Sequence, residues 1–445
     1  MWHRSYLGDP ALPLRSALLV IAVLAILAYI PGFHIPLIAD DYPQIQMSRL
    51  LGQSGGFHAL WNDVSARMRM SFFVITYWVD HWAGLDPTAY HAVSLFLHVL
   101  CCWLIYALGE WNLIGKKVSL IAACFFAVYE GHQEAVMWYS GLMEALVVVF
   151  GIASIFFFIQ WLRGRGWVWY ALALLSFGVA LFSKESAYIF AGLLFLPAIQ
   201  MSGTWKIRRE WLAGLLPFVL ISIACVVWIA STRMGNNRFN DGSFAISPHF
   251  FVALAVSFGR LMFVWGLLAL IALAVFRARE FVPVAVYSLV WMLVGLVPYS
   301  FLLYMNRVPS RHTYLASAGL SFLVAAALVT VWDHLGGRTV LVVGAVILMV
   351  NISILWKKKV DQYRTRALPT EMLISALERA NGPVHIRCYP YLPIVASAVA
   401  EELKGTVVME PTEDLKKNGA RCMNYWYKDA NGNVREVFVP PSRLP

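Results

Sequence analysis

Pairs of ionisable residues stand at the ends of long apolar stretches in this chain of 445 residues. Asp40 and Asp41 follow the first apolar stretch, and Lys184 and Glu185 join two later ones. Ionisable groups at membrane depth are costly and usually functional. A carboxylate can take a proton from an attacking hydroxyl, and a Lys or Arg side chain can hold a phosphate. This set of residues therefore suits group transfer from a lipid that carries a phosphate.

Further candidates stand at the corresponding ends of other apolar stretches. Asp40 and Asp41 are the candidate catalytic residues. The candidates for the donor phosphate and its pocket are Arg69, His132, Glu134, Glu144, Lys184, Glu185, Arg307 and Arg311.

Each of these residues also has a purely structural interpretation. Asp40 and Asp41 are typical of a solvated turn, and Lys184 with Glu185 is typical of an internal ion pair. His132 and Glu134 lie two residues apart in a short loop, where they would form a metal pair or a hydrogen-bonded pair. Two ligands make an incomplete metal site, so no metal is predicted.

The composition restricts the class of protein. Hydrophobic residues make up 60% of the chain and charged residues 13%, whereas soluble domains carry about a quarter charged residues. A cytosolic enzyme, a secreted disulfide scaffold and a disordered regulator are therefore excluded. The net charge of +10 fits cytoplasmic loops and anionic lipid headgroups, and no nucleic-acid partner is predicted.

Apolar runs predict about eleven transmembrane helices, some of them shorter than the 18 to 25 residues that cross a bilayer. The first one leads into Pro31 and Gly32 without a small-residue cleavage site, so it is interpreted as an uncleaved span. The predicted spans centre on residues 14–33, 88–109, 117–130, 141–161, 167–182, 187–201, 211–230, 250–275, 281–299, 313–332 and 339–356.

The loops between these segments alternate in charge. Basic loops near residues 116, 163, 208, 277 and 338 predict a cytoplasmic N-terminus, because Lys and Arg are enriched on that side. An odd number of spans then places the C-terminal tail outside the cytoplasm. Lys357, Lys358 and Lys359 favour the opposite location for the tail, but one cluster does not outweigh the earlier loops.

The composition changes near residue 366. Helices over 368–380 and 396–403 and strands over 384–387 and 434–439 predict a small α+β tail domain. Cys388 and Cys422 would pair if the tail faces an oxidising compartment. The predicted fold is an all-α polytopic membrane protein, with a transmembrane domain at 1–360, a first outer loop at 34–87 and an extracytoplasmic α+β domain at 366–445.

Six short stretches follow one another within residues 10–330. They are Asp40-Asp41, Arg69-Met70-Ser71 leading to Tyr90-His91 and His98, residues 129–136, residues 141–144, Ser183-Lys184-Glu185, and residues 310–319. In this order they resemble motifs of the GT-C superfamily of membrane glycosyltransferases, and most closely the transmembrane O-mannosyltransferases that carry tetratricopeptide repeats. Tyr129, Leu142 and Glu144 depart from the family pattern, and no such repeats follow.

The resemblance implies an inverting glycosyltransferase. It would move a hexosyl or pentosyl group from a polyprenyl-phosphate donor to a hydroxyl of a glycan, lipid or protein acceptor on the periplasmic or luminal face. It implies that Asp40 is the base and that Asp41 orients the acceptor or the base. The residues it places at the donor are Lys184 and Arg311 on the phosphate, with His132, Glu134 and Glu185 around the pocket.

The lipid-linked sugar is the only cofactor-like group that the resemblance implies, and a bacterial inner membrane is favoured over the endoplasmic reticulum. Two other functions fit parts of the pattern. A ligase or polymerase acting on a lipid-diphosphate glycan usually has one large outer loop late in the chain, whereas the long loop here is the first. A transporter or flippase would need repeats or charges deep within the spans, and Arg260 comes nearest to such a charge.

Overall fold

The computed structural model describes residues 12–203, 207–231, 247–303, 308–410 and 423–439. The first half contains α1 (Leu14–Tyr29), α2 (Asp41–Arg49), α3 (Gly56–Asn62), α4 (Val64–Arg67), α5 (Met70–Ala83), α6 (Pro87–Ala107), α7 (Gly115–Val128), α8 (Gln133–Val136), α9 (Leu142–Leu162), α10 (Trp167–Leu181) and α11 (Phe190–Ser202). The second half contains α12 (Arg209–Ser231), α13 (His249–Met262), α14 (Trp265–Val275), α15 (Val282–Leu296), α16 (Ala316–Leu335), α17 (Gly337–Ser353), α18 (Val360–Arg379) and α19 (Pro393–Glu402). The strands are β1 (Val384–Cys388), β2 (Val407–Met409), β3 (Met423–Lys428) and β4 (Val434–Val439).

The chain is a polytopic membrane protein, as the sequence predicts. Among the described residues, seven helices are long and apolar enough to cross a membrane, and the bent pair α13 and α14 makes an eighth if it counts as one span. All eleven predicted segments are helical, but α7, α10 and α11 have only 14, 15 and 13 residues.

The three short helices border the polar turns that carry candidate site residues. α7 stops before the 3₁₀ turn Glu130–His132, and α10 and α11 are separated by Lys184 and the 3₁₀ turn Glu185–Ile189. Some residues that the hydropathy pattern assigns to membrane spans belong instead to the turns that carry candidate site residues. The spans are therefore shorter than predicted at this end of the bundle.

Ion pairs identify the two ends of the helical bundle. At one end, Glu110 pairs with Lys116 at 2.7 Å and with Arg163, and the basic loops lie there. At the other end, the segment over residues 130–144 contacts Asp41 through Ser140 and the turn after α10 through Glu144 and Lys184. The alternating path of the spans therefore gathers the candidate acids at the end opposite the basic loops.

The last helical segment is longer than the sequence predicts. α17 continues through a π-helical turn, Ile354–Lys359, into α18, so that one helical rod runs over Gly337–Arg379. The helix predicted over 368–380 is present, but it begins earlier than predicted, at Val360, and it contains Pro369. The division of the chain near residues 360–366 into two domains stays a prediction.

A four-stranded sheet follows the rod, in the order β2-β1-β3-β4. β1 and β2 are parallel, with α19 as the crossover between them, and the other pairs are antiparallel. The sequence predicts β1, α19 and β4 to within a few residues but misses β2 and β3. Cys388 at the end of β1 is disulfide-bonded, and Cys422 lies outside the described residues.

Asn351 joins the rod to the turn after α7. Its side chain is fully buried, accepts a hydrogen bond from the backbone N–H of Glu130 at 3.0 Å and donates to the carbonyl of Ile347 at 2.8 Å. An unsatisfied N–H away from water costs about 1–3 kcal/mol. Asn351 therefore fixes the rod against the segment that carries the candidate site.

We expect Asn351→Leu to lower the free energy of unfolding by about 1–3 kcal/mol, because the Glu130 N–H loses its acceptor while the side-chain volume is kept. Thermal unfolding of the purified protein in detergent measures the change as a lower Tm. Ser353→Ala, an exposed neighbour in the same helix, serves as the matched control. Equal Tm values for the two variants would contradict the role assigned to Asn351.

Candidate functional site

The two adjacent aspartates have different environments. Asp41 is 1% exposed. Its Oδ1 accepts hydrogen bonds from the N–H and hydroxyl of Ser140 at 2.9 and 2.6 Å, and its Oδ2 accepts from the N–H of Ile38 at 2.7 Å. Asp40 is exposed. Asp41 therefore anchors the loop, and Asp40 is the carboxylate that a ligand can reach.

The backbone before the pair is strained. Ala39 has a φ of +41°, in a region that residues with a side chain rarely adopt. Such strain persists only where the surrounding contacts enforce it, and it is concentrated at functional sites. The hydrogen bonds of Asp41 supply part of that restraint.

A second group of polar side chains is centred on Glu134. Arg311 Nη1 lies 2.5 Å from Glu134 Oε1, and the Ser310 hydroxyl donates to Oε2 at 2.9 Å. Burial raises the pKa of Glu134, but the charges of Arg311 and Arg366 and the hydrogen bonds from Ser310 and the Arg311 N–H together outweigh burial, and the pKa falls below its usual value. Glu134 is therefore a carboxylate that holds Arg311 in place.

This group carries more positive than negative charge. Arg366 of α18 lies 3.8 Å from Glu134, so two guanidinium groups share one carboxylate. Arg311 also lies over the Trp138 ring, 5.1 Å from its centre. The indole N–H of Trp138 has no hydrogen-bond partner within the described part of the chain. Two arginine side chains and this N–H donor are groups that can together bind an anion.

A third group is centred on the buried Glu144. Lys184 pairs with its Oε1 through an ammonium–carboxylate hydrogen bond, and His312 Nδ1 lies 2.7 Å from the same oxygen. The Tyr299 hydroxyl donates to Oε2 at 2.5 Å, and its ring stacks on His312 at 4.2 Å. Glu144 thus joins residues that are far apart in sequence.

The charge state of this third group follows from burial. Burial and the nearby charge of Lys184 lower the pKa of His312 to about 4, against the raising effect of Glu144. Burial also lowers the pKa of Lys184, while the charges of Glu144 and Glu185 raise it. His312 is therefore neutral near pH 7 and donates its Nδ1–H to Glu144.

One short segment carries the partners of all three groups. Between residues 130 and 144 it supplies Glu134, Ser140 and Glu144, which bind Arg311, Asp41 and Lys184 respectively. Gly141 allows the fold of this segment, because a Cβ there would lie 2.2 Å from the carbonyl oxygen of Glu134. Residues 311 and 312, held by Glu134 and Glu144, place the second and third groups side by side.

The remaining predicted residues lie in varied positions. Arg69 is buried at the start of α5, two residues before Ser71, whose hydroxyl donates to Ser183 at 2.7 Å. This contact places the start of α5 next to the turn that contains Lys184. Glu185 begins the turn Glu185–Ile189 and is half-buried. Arg307 lies outside the described residues.

The predicted pairing of His132 with Glu134 is wrong. His132 is fully buried in an aromatic cluster, and its Nε2 lies 2.6 Å from the Ser317 hydroxyl. Residues two apart in helical backbone do not face each other, so Glu134 points instead to Arg311. Among the described residues no group of three or more His, Cys, Asp and Glu could hold a metal ion.

Sequence reasoning missed Ser140, Tyr299, His312 and Arg366 as site residues. Ser140 and Tyr299 are neutral, so a search for charges passes over them. Arg366 lies in a helix with polar residues on several faces, where no sequence signal distinguishes it. His312 could have been found, because it is adjacent to Arg311 in one of the six matching stretches.

Solved structures share this architecture. An archaeal oligosaccharyltransferase, AglB from Archaeoglobus fulgidus, solved with an inhibitory peptide and a dolichol-phosphate, superposes with a TM-score of 0.54 at 12% identity over 96% of this chain and 74% of that one. ArnT from Cupriavidus metallidurans, bound to undecaprenyl phosphate, gives a TM-score of 0.53 at 14% identity over 90% and 87%.

A curated relative is similar in sequence over part of the chain. The protein O-mannosyl-transferase Tmtc1 of Drosophila melanogaster is 26% identical over 133 residues, which is 30% of this chain. The match spans only 15% of the length of that relative. No protein-family model matches the sequence.

The class of this protein follows from fold and site together. It is a polytopic membrane protein with a cluster of acids and cations at one end of its bundle. Its fold is shared with the solved structures of AglB and ArnT, in agreement with the fold that the resemblance to the GT-C superfamily implies.

Asp41 gives the site a pH dependence. Burial raises the pKa of Asp41 from 3.8 to about 7, against the lowering effect of its hydrogen bonds. A folded-state pKa above the unfolded value contributes stability at low pH that is lost as the pH rises through about 7. We expect the Tm of the wild type to fall, relative to that of Asp41→Asn, as the pH rises from about 4 to about 7, and the difference to stay level above that.

In Asp41→Asn the side chain presents an N–H₂ group or a poorer acceptor to the Ile38 N–H, and this lowers the stability by the same amount at every pH. The change of Tm with pH therefore reports the titration of Asp41 alone. Thermal unfolding at a series of pH values measures it. Asp361→Asn, an exposed carboxylate, should give a profile parallel to the wild type. A parallel profile for Asp41→Asn would refute the raised pKa.

Proposed function

We propose that the protein is an inverting glycosyltransferase that moves a sugar from a polyprenyl-phosphate donor to an acceptor hydroxyl. One observation carries the proposal: an exposed carboxylate, Asp40, adjoins a buried anchor, Asp41, which is tied to the segment that also holds Arg311 and Lys184. A base and phosphate-binding cations are thus supported by one element. The GT-C fold and its solved relatives with dolichol-phosphate and undecaprenyl phosphate support this assignment.

Asp40 acts as the general base in this mechanism. It accepts the proton of the acceptor hydroxyl while that oxygen attacks the anomeric carbon of the donor sugar. The bond between that carbon and the phosphate oxygen breaks, and its electrons leave with the polyprenyl phosphate. Attack opposite the leaving group inverts the anomeric centre. Asp41 keeps the Asp40 backbone in place and does not react.

The cations stabilise the leaving phosphate. Arg311 and Arg366 share Glu134 and retain a net positive charge. The Trp138 ring lies under Arg311, and its N–H has no hydrogen-bond partner among the residues that the structure describes. Positioned cations and N–H donors stabilise charge that develops on a leaving group. Lys184, and Arg69 beside the Lys184 turn, complete the positive side of the pocket. Glu185, His132 and Glu144 shape it.

The reaction takes place on the outer face of the membrane. Basic loops lie at the opposite end of the bundle, which favours a cytoplasmic position for that end and for the N-terminus. The disulfide at Cys388 supports an oxidising compartment for the tail. A bacterial inner membrane, with the tail in the periplasm, fits both observations.

Replacement of Asp40 tests the proposal. We expect Asp40→Asn to reduce transfer by about 10²- to 10⁴-fold, the usual contribution of a general base. The measurement is release of polyprenyl phosphate by purified protein that is given polyprenyl-phosphate sugars and hydroxyl acceptors. Folding should be unchanged, because Asp40 is exposed.

The matched control is Asp361→Asn, an exposed carboxylate on the rod, which should retain wild-type activity. Full activity in Asp40→Asn would remove Asp40 from the mechanism. Release of polyprenyl diphosphate instead of monophosphate would identify a glycan ligase or polymerase. Movement of intact lipid-linked sugar without bond cleavage would identify a flippase.

A further inference from the structure

Helix α2 connects the candidate base to the tail. It begins at Asp41, directly after Asp40, and ends at Arg49. With a rise of 1.5 Å per residue, its two ends are about 12 Å apart. A helix this short moves as a rigid rod, so restraint at its C-terminal end also restrains Asp40.

Arg49 is held by carboxylates from two other parts of the chain. Its Nε and Nη2 donate to Asp80 of α5 at 2.7 and 2.8 Å, in a bidentate arrangement. Its Nη1 donates to Glu402 of α19 at 2.6 Å. The side chains of Asp80 and Glu402 are 10% and 8% exposed and that of Arg49 is 38% exposed, so the two carboxylates are buried and the guanidinium lies at the edge of the solvent.

A second contact joins α2 to the tail one turn earlier. The Gln46 side-chain N–H₂ donates to the carbonyl of Ala398 at 2.9 Å. Gln46 and Arg49 are three residues apart, and Ala398 and Glu402 are four apart, so each pair shares one face of its helix. The tail helix α19 therefore contacts α2 at two points along one face of each helix.

The N-terminal end of α2 needs this support. Asp41 is tied to Ser140, but the Ala39 backbone before it has a φ of +41°. A strained residue relaxes unless the chain on both sides is fixed. His91 fixes the preceding side through a contact of 2.8 Å with the Ile35 carbonyl. The following side is fixed at Asp41 and, through α2, at Arg49.

We propose that the tail positions the catalytic base: Glu402 and Gln46, acting through α2, hold the Asp40 carboxylate in its reactive orientation. This inference rests on the proposed function in treating Asp40 as the base. Glu402 and Gln46 are positioning residues and touch no substrate. The tail, whose role the sequence leaves open, thereby becomes part of the catalytic machinery.

Two variants of the full chain separate the two contacts. Glu402→Gln removes the charge that holds Arg49 while keeping the side-chain size, and Gln46→Ala removes the contact with Ala398. The control is Glu436→Gln, which breaks the exposed pair with Arg387 at 2.7 Å on the tail sheet. Hydrogen–deuterium exchange of peptides covering residues 38–49 reports the mobility of α2.

We expect faster exchange over residues 38–49 in Glu402→Gln and Gln46→Ala, and no change there in Glu436→Gln. Misplacement of a reacting group by about 1 Å costs up to about 10²-fold in rate, so kcat for sugar transfer should fall about tenfold in both variants. The KM for the polyprenyl-phosphate donor should stay within about twofold of wild type, because the donor cations lie on other elements.

Exchange over residues 38–49 equal to that of Glu436→Gln would overturn the inference, as would a rise in KM with kcat unchanged. If wild-type protein transfers no sugar from any polyprenyl-phosphate donor, the proposed function fails. Unchanged exchange with an active wild type leaves the proposed function standing and removes only the role of the tail. The two measurements therefore distinguish the two failures.

Discussion

The buried carboxylate of Glu144 is the contact on which the rest of the site depends. It binds Lys184, His312 and Tyr299, which come from the turn after α10, the turn before α16 and the 3₁₀ turn that follows α15. A buried charge is tolerated only when it is paired and hydrogen-bonded, and Glu144 has partners on both oxygens. Because Glu144 and Glu134 belong to one segment and bind adjacent residues, His312 and Arg311, the cations take up fixed positions relative to Asp41 and Ser140.

The long helical rod also contributes a residue, Arg366, to this site. Between Gly337 and Arg379 it leaves the bundle without a break, is fixed to the Glu130 turn by Asn351, and brings Arg366 to Glu134. The same rod leads into the tail, whose helix α19 returns to α2. The C-terminal part of the chain therefore contacts the site at two places. Arg366 contacts Glu134, and Glu402 contacts Arg49 at the end of α2.

The sequence predicts the membrane bundle and singles out several of the ionisable residues that the structure brings together, because both depend on local properties. Apolar runs indicate spans, and Asp40, Glu144 and Lys184 stand at span ends where charge is conspicuous. The partners of these residues are not predictable in this way. Glu134 pairs with a residue 177 positions away. The length of the rod that carries Arg366 could not be predicted, because the composition changes after Lys359. His132 shows the converse error, since proximity in sequence suggests a pair that helical geometry prevents. Neutral partners such as Ser140 carry no signal at all.

Native mass spectrometry of the purified protein with polyprenyl phosphate tests most directly whether the two arginines around Glu134 form a lipid-phosphate site. The comparison is between wild type, Arg366→Gln and the tail-surface variant Glu436→Gln. Arg366 suits the test because its side chain is 32% exposed, so its loss should spare the fold. We expect a polyprenyl-phosphate adduct that is retained in Glu436→Gln and weakened about tenfold in Arg366→Gln, because one charge-assisted contact is lost. Absence of the adduct, or equal binding in all three proteins, would contradict it.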